Sequence, residues 1–367
     1  MLSLLCNHPV CFKNKLTDDR RKGAIMLSVL KKDLDPKVHR ADISVMHQKL
    51  PPKTEFVIKV PLTDVLRKAY SRYLRFMDHL AATSEMARSL DGLAVLSLLC
   101  NHPVCFKNKL TAREEESAQV MGSQTDEETA EALAAPGDLT VTKLGLTSAM
   151  IQEQMELFGA IGDRLGDLVH SHKATIFDQI LDAAIRAGDK TLVFSHSIMT
   201  LNYLENLFKA TKRRYLRLTG ATKMADRQKD ANRFNYGAFD VYLISTRAGG
   251  LGLNLQAANR VIIFDFGLNP MWEEQAVGRA YRIGQVKPVF MYRFTVDGTF
   301  EDIIHNKAIY KLQLASRVVD KKNPMRYAQR NARDMFFEPT EVEMNELSEY
   351  RGKDPLVLDT VLEKQAA

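Results

Sequence analysis

Residues 191–210 read TLVFSHSIMTLNYLENLFKA, a short apolar run followed by a segment of helical periodicity. The same succession recurs downstream, where the further apolar runs are YLRL (215–218), VYLIS (241–245), RVIIF (260–264) and VFMYRF (289–294). Near-continuous apolar runs that alternate with helices are typical of a parallel sheet covered on both faces. The sequence therefore predicts an α/β lobe with a mainly parallel sheet of five strands, preceded by a helical extension.

Length and composition exclude several classes of protein. The chain has 367 residues, of which 45% are apolar and 26% charged, enough for two or three globular domains. It contains no run of about eighteen apolar residues, which excludes a transmembrane helix, and Leu2–Leu5 is too short an apolar stretch for a secretory signal. Four cysteines are too few for a disulfide scaffold of this length, so we expect a reducing, nuclear or cytosolic compartment.

The net charge of +6 conceals an uneven distribution. The net charge is +9 for residues 1–112, −6 for 113–150, +8 for 151–337 and −5 for 338–367. Basic blocks attract polyanions such as nucleic acid, whereas each acidic segment is also explained as a solvated surface. The distribution predicts an acidic partner for the basic blocks without identifying it.

A perfect repeat is the most unusual feature of the chain. Residues 2–17 and 96–111 both read LSLLCNHPVCFKNKLT, and the two copies hold all four cysteines. Cysteine and histidine are zinc ligands, but C-x4-C with one interior histidine is not a usual zinc spacing, so we expect no metal site. We interpret the segment as an apolar helix that ends at Asn-His-Pro. A misjoined exon or a short genomic duplication accounts for the N-terminal copy.

A glycine-rich loop, TRAGGLGLN (246–254), directly follows a predicted strand. It therefore lies at the carboxyl end of that strand, where ligands of open α/β sheets bind. Gly250 and Gly252 lack a Cβ atom, so their backbone N–H groups can approach a phosphate closely. A tight turn without a ligand explains the glycines equally well.

A second candidate site is QAVGRAYRIGQ (275–285), which we predict to continue a helix from about Pro270 to about Arg282. Gln275 and Arg279 are four residues apart, and Arg279 and Arg282 are three apart, so a helix would place them on one face. Two guanidinium groups beside an amide suit a polyanion such as a triphosphate. The alternative is a surface helix with two solvated arginines.

The chain resembles the second RecA-like lobe of the SWI/SNF family of double-stranded DNA translocases. Four blocks occur in the family's order: TLVFSHSIMTLNYLE (191–205), RLTGATKMADRQKDANRFN (217–235), LISTRAGGLGLNL (243–255) and QAVGRAYRIGQ (275–285). The segments KKDLDPKVHRADISV (31–45), LPPKTEFVIKVPLT (50–63) and LSLLCNHPVCF (96–106) also resemble the helical protrusion and linker that lead into that lobe. The sequence departs from the family at Thr219 and Ala221, where the family usually has Asp and Ser.

The resemblance implies roles for individual residues. Arg279 and Arg282 would be the catalytic arginines that reach the γ-phosphate, and the residues that would assist in nucleotide binding are Gln275, Gly250 and Gly252. The hydroxyl groups that would contact DNA phosphates are those of Ser195, Thr222 and Thr246.

One half of the expected nucleotide site has no counterpart in this sequence. Family members hold ATP and Mg²⁺ with a GxxxxGK[ST] loop and an acidic box on the first RecA-like lobe, and the 367 residues contain neither. We therefore expect ATP and Mg²⁺ to bind only together with an N-terminal lobe, which would be a partner in addition to double-stranded DNA or chromatin. The implied location is nuclear, with no membrane association.

Three functional interpretations remain open at this point. The first is the C-terminal motor lobe of a DNA translocase or chromatin remodeller, unable to hydrolyse ATP alone. The second is a non-enzymatic module that binds DNA or chromatin, or a regulator that docks on another chain. The third is a truncated gene-model fragment, which would explain both the perfect repeat and the lack of a phosphate-binding loop.

The expected organisation has five parts. They are an irregular, duplicated N-terminal segment (1–33), a helical protrusion and linker (34–112), an acidic flexible linker (113–150), the RecA-like helicase C-terminal lobe (151–325) and a basic-then-acidic tail (326–367).

Overall fold

The structure is a computed structural model with two compact units. It describes residues 29, 32–33, 50–81, 90–112, 148–249, 252–267, 269–319, 335–340 and 351–366. The first unit comprises residues 1–49 and 306–329, of which the helical residues 29, 32–33 and 306–319 are described. The second unit comprises residues 50–305 and 330–367 and contains the sheet.

The second unit contains six strands among its described residues. The strands are β1 (Lys53–Val60), β2 (Thr191–Ser195), β3 (Tyr215–Leu218), β4 (Val241–Ser245), β5 (Arg260–Ile263) and β6 (Val289–Val296). The helices are α1 (Asp64–Ala81), α2 (Leu90–Asn101), α3 (Ser148–Gly159), α4 (His172–Arg186), α5 (Ile198–Ala210), α6 (Met224–Tyr236), α7 (Thr246–Gly249), α8 (Met271–Val277), α9 (Phe300–Val319) and α10 (Leu358–Ala366). Residues 300–305 of α9 belong to the second unit and residues 306–319 to the first. Residues 103–112 are also helical, and Gly162–Gly166 and Leu168–His170 form 3-10 turns.

All six strands are parallel, in the order β1-β6-β5-β2-β4-β3. The predicted α/β fold with a mainly parallel sheet is therefore confirmed, and the sheet has one strand more than predicted. The additional strand is β1, which pairs with β6 from Lys53↔Val289 to Val60↔Val296. In β1 the Phe56 side chain is buried and Val57 is exposed, as expected for an edge strand with one face on the core.

The centre of the sheet forms the core. Every residue of β2 and of β4 is buried, because both strands have paired neighbours on each side and apolar side chains on both faces. Phe177 of α4 packs edge-on against the Phe264 ring, with centroids 5.2 Å apart. Helix α4 begins at a serine cap, where the Ser171 hydroxyl accepts a hydrogen bond from the Ala174 N–H at 3.2 Å.

The second copy of the repeat folds as expected into the end of a helix, because α2 ends at Asn101 immediately before His102-Pro103. Cys100 and Cys105 are buried as free thiols, and burial raises the pKa of Cys105 to about 12. Within the described residues no group of three or more histidine, cysteine or acidic side chains is arranged to hold a metal ion. The first copy, including Cys6 and Cys11, lies outside the described residues.

The C-terminal residues 351–366 are joined to the sheet of the second unit by a buried ion pair. Asp354 accepts a hydrogen bond from Arg260 Nη1 at 2.9 Å, and both side chains are 1% exposed. Arg260 Nε donates to Asp189 Oδ2 at 2.7 Å.

Some expectations fall outside the described residues. They concern most of the N-terminal segment (1–33), residues 34–49 and 82–89 of the protrusion, the acidic linker up to residue 147, and residues 326–334, 341–350 and 367 of the tail. Among the helices that the structure does describe, none is both long and apolar enough to cross a bilayer.

Candidate nucleotide and nucleic-acid site

The candidate residues gather at the carboxyl edge of the sheet. Because all strands are parallel, the ends of β2, β4 and β5 meet at this edge. Ser195 is the last residue of β2, Thr246 follows the last residue of β4, and Asp265 lies two residues after β5. This edge is where ligands of open α/β sheets bind.

The segment after β4 is a single helical turn, α7, where a loop was expected. A Cβ atom on Gly249 would lie 2.8 Å from Cε1 of Phe194, so this glycine allows α7 to pack closely on β2. Gly252 has φ +77°, a left-handed conformation that favours glycine, and open space surrounds it. Gly250 lies outside the described residues.

The predicted long helix over the QAVGRAYRIGQ motif is wrong. Helix α8 ends at Val277, and tight backbone bonds follow, from the Arg279 N–H to the Ala276 carbonyl and from the Ala280 N–H to the Val277 carbonyl, both at 3.1 Å. Both bonds join residues three positions apart, as in a 3-10 helix, so the backbone is wound more tightly here than in an α-helix. Gln275 therefore lies on a helix while Arg279 and Arg282 lie on the turns after it, so they do not share one helical face.

The two arginines are nevertheless close enough to affect each other. Burial, and then the charge of Arg282, lower the pKa of the Arg279 guanidinium, which stays charged at neutral pH because arginine does not deprotonate in proteins. Arg279 Nε donates to the Gly249 carbonyl at 3.0 Å, which ties the arginine turn directly to α7. Arg282 is half-buried and Gln275 is exposed. This cluster of positive charge can bind an anion.

Two of the three predicted DNA contacts are not at the surface. Ser195 and Thr246 are fully buried, and the Ser195 hydroxyl donates to Oδ2 of Asp265 at 2.7 Å. The Thr246 hydroxyl has no hydrogen-bond partner among the described residues. In this conformation both hydroxyls are covered by the folded lobe, and their contact with DNA stays a prediction.

Thr222 is half-buried and lies on the turn between β3 and α6, where its hydroxyl accepts a hydrogen bond from the Thr219 N–H at 3.1 Å. Arg227 fixes this turn: its Nε donates to the Thr222 carbonyl at 2.8 Å and its Nη2 to the Gly220 carbonyl at 3.1 Å. Both bonds reach backbone atoms, so they do not depend on the side chains at Thr219 and Ala221, where the sequence departs from the family. Arg227 was not predicted from the sequence, in which its only signal is a charge on the inner face of an amphipathic helix.

Asp265 was also missed. It is fully buried, and besides Ser195 it accepts a hydrogen bond from the backbone N–H of His196 at 2.6 Å. Nearby, Glu273 is 1% exposed and accepts hydrogen bonds from the Gly267 N–H and from Arg293 Nη1, both at 3.1 Å. The only sequence signal for Asp265 is that an aspartate follows an apolar run. Its hydrogen-bond partners Ser195 and His196 are about seventy positions away, so the sequence does not reveal them.

Comparison with known proteins identifies the class of this lobe. Residues 172–284 match the helicase conserved C-terminal domain. The chain is 34% identical over 323 residues to Protein CHROMATIN REMODELING 20 of Arabidopsis thaliana, covering 80% of this chain and 22% of that protein. It is 31% identical over 287 residues to human DNA excision repair protein ERCC-6, covering 78% and 17%, and 28% identical over 416 residues to human Transcriptional regulator ATRX, covering 88% and 16%.

Among solved structures, the C-terminal part of the Fun30 ATPase domain aligns with a TM-score of 0.49 and 22% identity, covering 74% of this chain and 98% of that one. The chain spans about a fifth of the length of the curated relatives described above. The fold and the sequence matches define a helicase C-terminal lobe. The lobe is similar to the C-terminal RecA-like lobe of the SWI/SNF family within helicase superfamily two.

Proposed function

We propose that this chain acts as the C-terminal motor lobe of an ATP-dependent DNA translocase or chromatin remodeller. The observation that carries the proposal is the arginine cluster at the carboxyl edge, where Arg279 is held by the Gly249 carbonyl and lies within the field of Arg282. The arginines would supply positive charge to a nucleotide whose phosphates are held mainly by another lobe. The sequence match to the helicase C-terminal domain supports this arrangement.

The residues present fit one side of a nucleotide. Two guanidinium groups can stabilise the charge that develops on a γ-phosphate, and in related NTPases such an arginine contributes roughly 10³–10⁵ in rate. No group of acidic side chains in the described part of the chain is arranged to hold Mg²⁺. ATP supplies the phosphoryl group when it is bound, and Arg279 and Arg282 act on it only electrostatically. We therefore expect the 367-residue chain to need a second lobe for hydrolysis.

The same proposal places DNA against the turn between β3 and α6 and against the basic surfaces. Thr222 is accessible there, and Arg227 holds the backbone of the turn in place. Contacts to phosphate position DNA without reading its sequence. We propose duplex DNA or chromatin as the partner and the nucleus as the location, by analogy with the chromatin and DNA-repair relatives.

The proposal is tested by adding the separately purified N-terminal lobe of a SWI/SNF relative and measuring DNA-stimulated ATP hydrolysis. We expect turnover that Arg279→Ala lowers by about 10³ or more. Arg186→Ala is the matched control, because Arg186 is exposed at the end of α4, outside the candidate site. A reconstituted activity that is equally insensitive to both substitutions would refute the role of Arg279.

A second candidate function is a non-enzymatic DNA- or chromatin-binding module. The net charges of +9 and +8 in the two basic blocks favour it. It predicts duplex binding that weakens steeply with salt and does not change with nucleotide or with an added N-terminal lobe. Absence of binding at low salt would exclude this function.

A further inference from the structure

The amino edge of the sheet, opposite the edge that holds the candidate nucleotide residues, contains a buried charge cluster. Arg260 is the first residue of β5, Asp189 lies two residues before β2, and Lys287 lies two residues before β6. Arg260 Nε donates to Asp189 Oδ2 at 2.7 Å, and the Lys287 ammonium donates to Asp189 Oδ1 at 2.9 Å. The Arg260 guanidinium also lies over the Phe290 ring, 4.6 Å from its centroid. In this cluster one carboxylate faces two cations, and the Arg260 side chain is only 1% exposed.

The second carboxylate of the cluster comes from residues 351–366, the C-terminal segment. Asp354 is 1% exposed, and its Oδ2 accepts hydrogen bonds from Arg260 Nη1 at 2.9 Å and from the Tyr292 hydroxyl. With Asp354 the cluster has two cations and two anions. Without Asp354 the buried guanidinium would keep only Asp189, which it shares with a lysine, and a buried charge that loses a partner is strongly destabilising.

The C-terminal segment also contributes an apolar face. Helix α10 begins at Leu358 and packs against α4. Val357, Leu358 and Val361 are buried, whereas Leu356 is 65% exposed. Buried apolar residues about one turn apart are typical of an amphipathic helix that lies in an apolar groove. The segment is therefore held by one carboxylate and by a row of apolar side chains.

Asp354 links the docking of the segment to the formation of its helix. Its Oδ2 accepts a hydrogen bond from the Leu358 N–H at 3.3 Å, and its backbone carbonyl accepts one from the Asp359 N–H at 3.2 Å. The first N–H groups of a helix have no partner within the helix, so the carboxylate that pairs with Arg260 also stabilises the start of α10. A peptide of this length is only marginally helical in water, so we expect it to gain its helix on binding.

We propose that Arg260, Tyr292 and Asp189 form the carboxylate pocket of a peptide groove, and that the C-terminal segment is a ligand bound to this groove in cis. When the cis contact is weakened, the groove takes the same segment supplied in trans. The ligand class is an amphipathic helix with an aspartate at its start and apolar side chains three, four and seven positions later: Asp354, Val357, Leu358 and Val361. The pocket lies at the amino edge, so this inference does not depend on the function proposed for the carboxyl edge.

The test supplies the segment as a separate peptide. A fluorescent peptide with the sequence of residues 351–366 is titrated with the whole chain, and binding is followed by fluorescence anisotropy. The unsubstituted chain should bind it weakly, because its own segment is tethered through residues 341–350 at an effective concentration of about 1 mM. For a peptide with a dissociation constant of about 10 µM, this competition weakens binding in trans by about 100-fold.

Asp354→Ala in the whole chain should open the groove to the peptide. The tethered segment then lacks its carboxylate, and we expect its affinity for the groove to fall by about 100-fold. Its competition then weakens binding in trans by only about two-fold, so the peptide should bind this variant about 50-fold more tightly than it binds the unsubstituted chain. A peptide that itself carries Asp354→Ala should bind neither chain detectably.

Leu356→Ala is the matched control, because Leu356 belongs to the same segment and is exposed. In the peptide this substitution should change the dissociation constant by less than about two-fold, and in the whole chain it should not open the groove. Val361→Asp is a second test in the whole chain. It places a charge in the apolar contact and leaves the carboxylate pocket intact, so it should also allow the peptide to bind in trans.

Each outcome bears on the inference. A folded Asp354→Ala chain that does not bind the peptide would overturn it, and so would an unsubstituted chain that binds the peptide as tightly as the variant does. If Asp354→Ala does not fold alone, peptide added during refolding decides: recovery of the native circular dichroism spectrum supports the inference, and lack of recovery contradicts it. None of these readouts involves DNA or ATP, so they are independent of whether the proposed function holds.

Discussion

Acidification should destabilise the second unit through His102, which follows α2. The imidazole is fully buried and stacks on the Tyr203 ring with centroids 4.0 Å apart, and burial lowers its pKa to about 3. Its Nδ1 accepts from the Val104 N–H at 3.3 Å, so the neutral ring carries its proton on Nε2, which donates to the Asp167 carbonyl at 3.2 Å. Protonation would place a charge in this site.

The size of the effect follows from the two pKa values. In the unfolded chain the histidine has a pKa of about 6.5, so below that pH the unfolded state binds a proton that the folded state does not. Stability is therefore complete above the unfolded pKa and is lost as the pH falls from about 6.5 towards 3. Between about pH 7.5 and pH 5.5 the loss from His102 is about 1.4 kcal/mol.

The assay is urea unfolding at these two pH values, followed by circular dichroism. We expect His102→Gln to reduce the difference in unfolding free energy between the two pH values by about 1.4 kcal/mol. A remainder is expected, because burial also lowers the pKa of His305 to about 4. His172→Gln is the control, because His172 is exposed and only its Nδ1 contacts a carbonyl, that of Pro61 at 3.0 Å. An unchanged pH dependence in His102→Gln would refute the reasoning.

Three further predictions concern stability and reactivity. Asp354→Ala should lower the free energy of unfolding by about 3 kcal/mol in a urea titration, because Arg260 is buried and loses one of its two carboxylate partners; a loss below about 1 kcal/mol would contradict this. Gly252→Ala should cost about 1 kcal/mol by the same titration because of its φ of +77°, whereas Gly166→Ala, which also has open space around it but no positive φ, should cost less. The Cys105 thiol should resist alkylation in the folded chain and react after unfolding, as measured by peptide mass spectrometry, because burial raises its pKa to about 12.

The local parts of the fold were predictable from the sequence. The five apolar runs lie where the structure has β2 to β6. Every residue of β2, β4 and β5 is buried, and a strand buried on both faces has a continuous apolar pattern. The strand β1 was not predicted to belong to the sheet, since its pairing with β6 joins residues more than two hundred positions apart. Strand pairing at such separation leaves no local pattern.

The candidate site was predicted less completely, because its geometry depends on tertiary contacts. The arginines Arg279 and Arg282 were identified from residue type, but the helix expected to carry them ends at Val277. Ser195 and Thr246 were placed correctly at strand ends, yet whether a hydroxyl is buried depends on what packs over it. The hydrogen bond from Asn101 to Asp265 spans 164 positions in sequence and had no sequence signal.

The most direct measurement of the central claim is the ATPase activity of the purified 367-residue chain, with and without duplex DNA, before any other lobe is added. If this chain supplies only the arginine side of a nucleotide site, DNA should bind in a salt-dependent way while no DNA-stimulated hydrolysis is detected. Robust DNA-stimulated turnover by the chain alone, abolished by Arg279→Ala, would contradict the claim that a second lobe is needed.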